Sequence, residues 1–216
     1  MQGKIFEGDY KTRCKNIDSL LCVGDTFDML KREIRLGDRH AVFYMIDGFL
    51  KGEVLEKIME FFLSLAPEDV PETYEDFLKK CTPYGDIVTV TTEQDFLHYV
   101  LSGLTGFVVE GYDEILVIDL RDYPSRSVEE PDKDKVLRGS RDGFVEAIMP
   151  NIALIRRRIR DVDLKFEIYS IGSSSRTDIS VVYMKDRVNQ KALSIIQKRL
   201  KKISVDSLTM NQESLA

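Results

Sequence analysis

Histidine titrates nearest neutral pH, so histidines are the first candidates for acid or base catalysis. The chain has two, His40 and His98. His40 adjoins an apolar run typical of a strand, and His98 lies in a short helical pattern among apolar and aromatic residues. No His-x-x-x-His, Gly-x-Ser-x-Gly or phosphate-loop motif accompanies them. We therefore predict structural roles for both histidines and a protein that is not an enzyme.

Cysteine chemistry is also disfavoured. The three cysteines, Cys14, Cys22 and Cys81, are odd in number and form no Cys-x-x-Cys pair. Neither a disulfide framework nor a thiolate metal site follows from that spacing. We predict reduced thiols, no metal site and no cofactor.

One glycine- and serine-rich turn has the composition of an anion site. Residues 172–176, Gly-Ser-Ser-Ser-Arg, join two predicted strands. Ser173 and Ser174 can offer hydroxyls and backbone amides, and Arg176 can supply charge. With Arg138 and Arg141, these three are the candidate ligand-binding residues. The same composition is typical of a flexible hairpin turn, so both interpretations stay open.

A run of three arginines, Arg156 to Arg158, has several possible uses. Nucleic-acid binding is disfavoured because the protein is acidic and the run contains no interleaved aromatic residue. Arg157 or Arg158 can form charge-assisted bonds with Glu129 or Glu130. Contact with an anionic membrane surface or a partner, and simple solvation over the helix flank, are the alternatives.

The elements around these arginines are a charged, proline-bounded loop and a helix. The loop occupies residues 121–140, and a helical pattern begins at Asp142, a plausible N-cap. Apolar residues then recur three and four positions apart: Phe144, Ala147, Ile148, Ile152, Ile155 and Ile159. Pro150 interrupts the pattern and is expected to kink or restart the helix.

The same stretch resembles the signature of the GerA family of spore germinant receptor A subunits. Family members are similar in having an Arg-Ser-x-x-Glu-Pro loop, an Arg-Gly-x-Arg-Asp-Gly-Phe-x-Glu segment, and an Asn before a Leu-Ile-Arg-Arg-Arg-Ile-Arg helix. The matching positions here are Arg126, Ser127, Glu130, Pro131, Arg138, Gly139, Arg141, Asp142, Gly143, Phe144, Glu146, Asn151 and 154–160. Weaker matches at 44–48 and 181–183 extend the resemblance over most of the chain.

Charge divides the chain into two parts. Residues 1–120 carry 12 Lys and Arg against 23 Asp and Glu, and residues 121–216 carry 19 against 14, so the net charges are about −11 and +5. The longest promising uncharged run, residues 98–109, has 12 residues, too few for a membrane span of about 20. The N-terminus lacks the apolar centre of a secretory signal, which favours a cytosolic location.

Helical and strand patterns alternate without a strict βαβ repeat, which indicates a mixed α+β fold. We predict two small subdomains, each a mixed sheet with packed helices. The first spans residues 1–120, a charged connector spans 121–140, and the second spans 141–203 in the order helix, strand, strand, helix. Residues 204–216 form a tail that, by the resemblance, leads toward a membrane domain.

The resemblance implies a cytosolic N-terminal signalling and assembly domain, working with B and C receptor subunits at the spore inner membrane. It implies that nutrient sensing is coupled to ion release. A close variant of this interpretation is that the chain belongs to a family relative in the ion-release machinery. The candidate interface or signalling residues are Arg126, Glu129, Glu130, Arg138, Arg141, Asp142, Asn151, Arg156, Arg157 and Arg158. A small-molecule binding module, with its ligand between the subdomains, is the alternative.

Overall fold

Two sheets and six α-helices make up the part of the chain that the structure describes. The structure is a computed structural model that describes residues 3–82, 86–122 and 143–206. In chain order the elements are α1 (Tyr10–Leu20), β1 (Met29–Leu36), β2 (Arg39–Ile46), α2 (Gly52–Ser64), α3 (Tyr74–Lys80), β3 (Ile87–Val90), α4 (Glu93–Leu101), β4 (Thr105–Val109), β5 (Ile115–Ile118), α5 (Ile148–Arg158), β6 (Leu164–Ile171), β7 (Thr177–Met184) and α6 (Gln190–Lys202). The α+β fold class predicted from the sequence is confirmed.

The first sheet has five strands in the order β1-β2-β4-β5-β3. The pairs β1–β2 and β4–β5 are both hairpins, and Gly37 supplies the positive φ of 59° that the first turn requires. All pairings between the described strands are antiparallel, whereas the sequence had suggested mixed sheets. Three of these pairs, β1–β2, β4–β5 and β6–β7, are hairpins with short connections, which antiparallel neighbours allow.

Both faces of this sheet are covered, which explains why β2 is apolar almost throughout. Val42, Tyr44 and Ile46 face a core shared with α1 and α4. The alternate residues of β2 face a second core shared with α2 and α3. Since side chains alternate across a strand, the continuous apolar run of β2 serves two cores at once.

The second sheet is the β6–β7 hairpin, which pairs over its whole length from Leu164↔Met184 to Ile171↔Thr177. Leu164 and Phe166 pack with Ile152 of α5 in a third, smaller cluster. Helix α6 contacts the same hairpin through β6. The predicted order of helix, strand, strand and helix is therefore present.

Helix α5 begins later than the sequence pattern suggested. It starts at Ile148 with Ala147 as N-cap, and residues 143–147 are not helical. The prediction of a helix from Asp142 is thus wrong for the described part of that segment, and Phe144 is 71% exposed instead of lining the apolar face. Pro150 is the third residue of α5, where a missing N–H costs no intrahelical hydrogen bond. The predicted restart near Pro150 agrees with this position.

A candidate signalling interface between the two sheets

Arg156 and Asp28 form a buried, bidentate ion pair between α5 and the segment preceding β1. Arg156 Nε donates to Asp28 Oδ2 at 2.6 Å, and Nη2 donates to Oδ1 at 2.9 Å. The side chains are 1% and 0% exposed. The pair therefore joins the two sheets in a region from which water is excluded.

The remaining polar atoms of this pair are also satisfied. Arg156 Nη1 donates to the Asp161 carbonyl at 2.7 Å, and Nη2 donates to the Leu164 carbonyl at 2.9 Å. The hydroxyl of Thr26 donates to Asp28 Oδ1 at 2.7 Å. Burial of two charges is costly, and excellent geometry with extra hydrogen bonds is what offsets it. We call Arg156, Asp28 and Thr26, with their bonded carbonyls, the polar joint.

Backbone hydrogen bonds extend the joint along the edge of the second sheet. The Phe27 N–H donates to the Phe166 carbonyl at 3.0 Å, and the Phe166 N–H donates to the Thr26 hydroxyl at 3.1 Å. The Phe166 ring also lies under the Arg156 guanidinium, 5.1 Å from ring centroid to Cζ. Segment 26–28 therefore lies against β6 by both its backbone and its side chains.

Behind the joint, α5 also contributes to the core of the first sheet. Ala153 is fully buried and belongs to the same cluster as Val42 and Tyr44. The Asp47 N–H donates to the Asp28 carbonyl at 2.8 Å, so the turn after β2 is tied to the joint. The interface between the sheets therefore combines an apolar contact with the buried ion pair.

Two weaker polar contacts flank this interface. Lys185 Nζ lies 3.3 Å from Asp25 Oδ2, with both side chains more than half exposed. Arg160 Nη1 donates to the Ser102 hydroxyl at 3.0 Å. Exposed ion pairs such as Lys185–Asp25 contribute little to stability, so the polar joint is the main polar contact between the two sheets.

A cavity of about 470 Å³ lies beside the Arg160–Ser102 contact and includes His98, Asp86 and Asp119 in its lining. A histidine near carboxylates is the arrangement that would favour catalysis. Here, however, Asp119 is engaged by Arg121, whose Nε donates to Oδ1 at 2.8 Å. Hydrogen bonding to Arg121 lowers the pKa of Asp119. Within the described residues no hydrogen bond joins His98 to a carboxylate, so this geometry favours a held ion pair over an acid–base pair.

The serine turn at 172–176 uses its donors within the protein. Ser173 Oγ donates to Asp206 Oδ1 at 2.9 Å, and Ser174 Oγ donates to the same oxygen. The Ser173 and Ser174 amides donate to the carbonyls of Val205 and Asp206. Hydrogen bonds from the serines lower the pKa of Asp206. A carboxylate of the chain thus occupies the donors predicted for an anion.

The other predicted ligand residues are placed as follows. Ser173 lines a cavity of about 350 Å³ at the end of α6. Arg176 adopts a positive φ of 43° in the turn. Arg138 and Arg141 lie outside the described residues, so the ligand-binding role of this set stays a prediction.

Asn151 fixes the segment that enters α5. Its Oδ1 accepts from the Val145 N–H at 2.8 Å, and its Nδ2 donates to the Val145 carbonyl at 2.7 Å. This side chain reproduces the pairing of a neighbouring strand, and it holds residue 145 in a non-helical conformation. Asn151 therefore acts together with Pro150 to set where α5 begins.

The remaining interface candidates divide by position. Arg157 and Arg158 are exposed on the last turn of α5, next to the buried Arg156. Arg126, Glu129, Glu130, Arg138, Arg141 and Asp142 lie outside the described residues. The predicted pairing of Arg157 or Arg158 with Glu129 or Glu130 therefore stays a prediction.

Sequence reasoning missed Asp28 and Thr26. The only signal was an acid between Phe27 and Met29 at the start of a strand. An acid flanked by apolar residues occurs at many solvated strand ends, and nothing in the local pattern connects residue 28 with residue 156.

A family model described as Bacillus/Clostridium GerA spore germination protein matches residues 17–216. The chain belongs to the GerA family. A GerA relative, stage V sporulation protein AF of Bacillus subtilis (strain 168), is 34% identical over 195 residues, which are 89% of this chain and 39% of the relative. Spore germination protein KA of the same organism is 28% identical over 191 residues, 86% of this chain and 35% of the relative.

The fold of this GerA chain is also that of a solved structure. The N-terminal domain of the A subunit of the Bacillus megaterium spore germinant receptor GerK3 superimposes with a TM-score of 0.66 at 21% identity, covering 92% of this chain and 73% of that one. The GerA chain spans well under half the length of the two curated relatives. Among its described helices, none combines the length and apolar character that crossing a bilayer requires.

Proposed function

We propose that this chain is the cytosolic N-terminal signalling and assembly domain of a spore germinant receptor A subunit. Family membership, the names of the relatives and the fold of the GerK3 A-subunit domain support this proposal. The observation that carries the signalling role is the polar joint between the two sheets, in which Arg156 is bonded to Asp28. A non-catalytic role agrees with the relatives, which are spore germination and sporulation proteins.

The domain division belongs to the same proposal. We take residues 1–120 and 141–203 as two subdomains, with 121–140 as their connector and 204–216 as a tail. The separate clusters around the five-stranded sheet and around β6–β7 support this division. Ala153 packs in the cluster that lies between the first sheet and helices α1 and α4, so the subdomains share an apolar contact as well as the polar joint.

The joint is suited to a signal because its energy depends on geometry. A buried ion pair is stabilising only while every donor and acceptor is matched, and a small displacement of α5 leaves charges unpaired. A stimulus that favours one orientation needs only a few kcal/mol of differential contact to shift the balance of states. Movement of the second sheet relative to the first is the transmitted event.

We further propose that the domain works at the cytoplasmic face of the spore inner membrane with the B and C subunits. In that setting it couples nutrient sensing to ion release. The interface candidates are those predicted from the sequence, with Asp28 and Thr26 added by their contacts with Arg156.

Two substitutions in the full-length receptor subunit test the role of the joint. Arg156→Lys keeps the charge but removes the bidentate geometry, and Asp28→Asn keeps the shape but removes the charge. Copurification with the B subunit measures assembly, and nutrient-triggered germination measures signalling. Lost germination with intact assembly supports signalling, whereas loss of both indicates an architectural role. Normal germination in both variants contradicts the proposal.

The matched control is the exposed pair that links the same two parts of the chain. Lys185→Gln and Asp25→Asn change the same charges at a distance of 3.3 Å but in solvent. We expect germination and assembly to be unchanged in these variants. Thermal denaturation of each purified variant separates a signalling defect from unfolding.

A second candidate, implied by the family resemblance, is the corresponding domain of a relative in the ion-release machinery. The observation that favours a protein other than a receptor subunit is the higher identity to stage V sporulation protein AF, 34% against 28% for germination protein KA over a similar length. Affinity purification of the tagged full-length protein from spores distinguishes the two. Recovery of B and C receptor subunits supports the receptor, and recovery of ion-release components supports the second candidate.

A small-molecule binding role is the third candidate. The cavity of about 470 Å³ between Arg160 and the first sheet supports it, because both parts of the chain line that space. Thermal shift against amino acids and sugars tests it, since a ligand that binds only the folded state raises the melting temperature. Loss of that shift in Arg160→Ala, but not in Arg176→Ala, places the ligand in this cavity. The reverse result places it at the turn predicted from the sequence.

A further inference from the structure

Helix α6 presents an outward stripe made of four cations and one exposed isoleucine. Lys191, Ile195, Lys198, Arg199 and Lys202 follow one another at spacings of four, three, one and three, so they share one side of the helix. All five are exposed, and Ile195 is 52% exposed. This stripe faces away from the hairpin on which α6 packs.

The inner side of α6 attaches the helix to the hairpin through other residues. Leu193 is buried, and Gln197 donates to both oxygens of Glu167 at 2.9 and 2.8 Å. These two residues are four positions apart and face β6. The exposed isoleucines are therefore not needed to attach α6 to the protein.

Charge along α6 is of one sign. Its 13 residues include five Lys and Arg and no Asp or Glu. Ile196, 47% exposed, lies about 100° round the helix from Ile195, between the stripe and the packed side. Basic residues close to an anionic membrane surface each contribute about 1 kcal/mol to binding, and an exposed aliphatic side chain among them can enter the interface.

We propose that α6 docks its outer stripe onto an anionic lipid bilayer, lying parallel to the surface. The lysines and arginine contact lipid phosphates, while Ile195 enters the boundary between head groups and acyl chains. The stripe is convex and borne by a single helix, which suits a flat surface. This surface is separate from the polar joint, so it stands whether or not the joint transmits a signal.

Vesicle co-sedimentation of the 216-residue chain tests this proposal. We expect binding to phosphatidylglycerol vesicles, no binding to phosphatidylcholine vesicles, and weaker binding as salt rises. Lys198→Gln with Lys202→Gln should weaken binding roughly fivefold for each cation removed, the factor that corresponds to about 1 kcal/mol per basic residue. Ile195→Ser should weaken binding with an unchanged salt dependence.

Matched control variants remove the same kinds of side chain, two exposed lysines and one exposed aliphatic residue, from another part of the surface. Lys57→Gln with Lys79→Gln removes two exposed lysines, and Leu63→Ser removes an apolar side chain that is 59% exposed on α2. These variants should bind as the unmodified chain does. Circular dichroism confirms that every variant is folded.

Three results would overturn the proposal: no binding to anionic vesicles, equal binding to both kinds of vesicle, or equal binding by the α6 and control variants. A fourth is a vesicle-independent dimer, seen by light scattering, that the α6 substitutions dissociate. That outcome assigns the stripe to a second copy of the chain.

Discussion

Gly48 and Ala153 are in direct apposition across the interface of the two sheets: a Cβ at residue 48 would lie 3.1 Å from the Cβ of Ala153. Gly48 also has a positive φ of 81° in the turn that follows β2. Glycine is required at this position for two reasons: the backbone conformation and the close approach of α5.

Gly48→Ala is therefore expected to destabilise the protein by more than its backbone conformation alone would. The left-handed conformation costs about 1 kcal/mol for a residue with a Cβ, and overpacking against α5 adds roughly 1–3 kcal/mol. Urea denaturation measures the sum. Gly24→Ala is the control, because Gly24 has a similar φ of 85° and a Cβ added there would meet no atom within 4 Å. Equal losses in the two variants would contradict a close contact at Gly48.

Removing one partner of the buried ion pair should cost much more than removing an exposed one. Arg156→Ala or Asp28→Ala leaves a buried charge unpaired, and we expect a loss of about 3–5 kcal/mol in the free energy of unfolding. Lys185→Ala, at the exposed pair, should cost less than about 1 kcal/mol. Chemical denaturation of the four proteins tests this order.

The double variant Arg156→Ala, Asp28→Ala provides a second measurement. Because neither charge remains, its loss should be clearly smaller than the sum of the two single losses. Additive losses would mean that the two side chains act independently, against the contact described above.

Asn151→Ala should release the segment that enters α5. Two hydrogen bonds to Val145 are lost from an exposed site, so we expect a cost of about 1 kcal/mol and faster amide exchange at Val145. Asn151→Asp keeps the acceptor and should retain part of the protection. The N-cap variant Asn189→Ala is the control, since it should raise exchange only at the start of α6. Unchanged exchange at Val145 in Asn151→Ala would contradict the role of this side chain.

Stability at low pH should depend on Glu167. Burial acts to raise the pKa of Glu167, but hydrogen bonds from Tyr169, Tyr183 and Gln197 outweigh it and lower the pKa below its ordinary value of 4.5. A lowered folded-state pKa stabilises the protein above the ordinary value, and this contribution is lost as pH falls below about 4.5. The difference in unfolding free energy between the unmodified chain and Glu167→Gln should therefore shrink between pH 6 and pH 3.

The same cluster predicts a loss of stability at high pH. Burial, followed by the hydrogen bond to Glu167, raises the pKa of Tyr169 and of Tyr183 to about 12. A tyrosine whose folded-state pKa is raised stabilises the protein below its ordinary pKa of 10, and this contribution is lost as pH rises from 10 toward 12. Tyr183→Phe should flatten this part of the stability profile, and an unchanged profile would contradict the assignment.

Local pattern was sufficient for most elements of the fold. The hairpins at Gly37 and Gly111 and the apolar spacing of α2 and α6 each depend on residues close together in the chain, so spacing alone predicts them. The late start of α5 was harder. Its apolar pattern continues through Phe144, but Pro150 and the contacts of Asn151 with Val145 compete with helix formation.

The candidate site shows the limit of such reasoning. Arg156 was among the predicted interface residues because it belongs to an arginine run, yet its neighbours Arg157 and Arg158 looked equivalent in the sequence. Their different burial follows from the rotation of α5 about its axis, which is set by Ile152 and Ala153 packing on opposite sheets.

By itself, the sequence determined the fold class, the opposite charges of the two parts and the family resemblance, because each of these depends on composition or short spacing. Only the tertiary structure decided that Arg156 pairs with Asp28, 128 residues away, and that Ile195 and Ile196 remain exposed on α6. The physical reason is that burial is a property of packing. A side chain becomes buried or stays exposed only when distant elements pack together, and a local sequence pattern does not specify which elements those are.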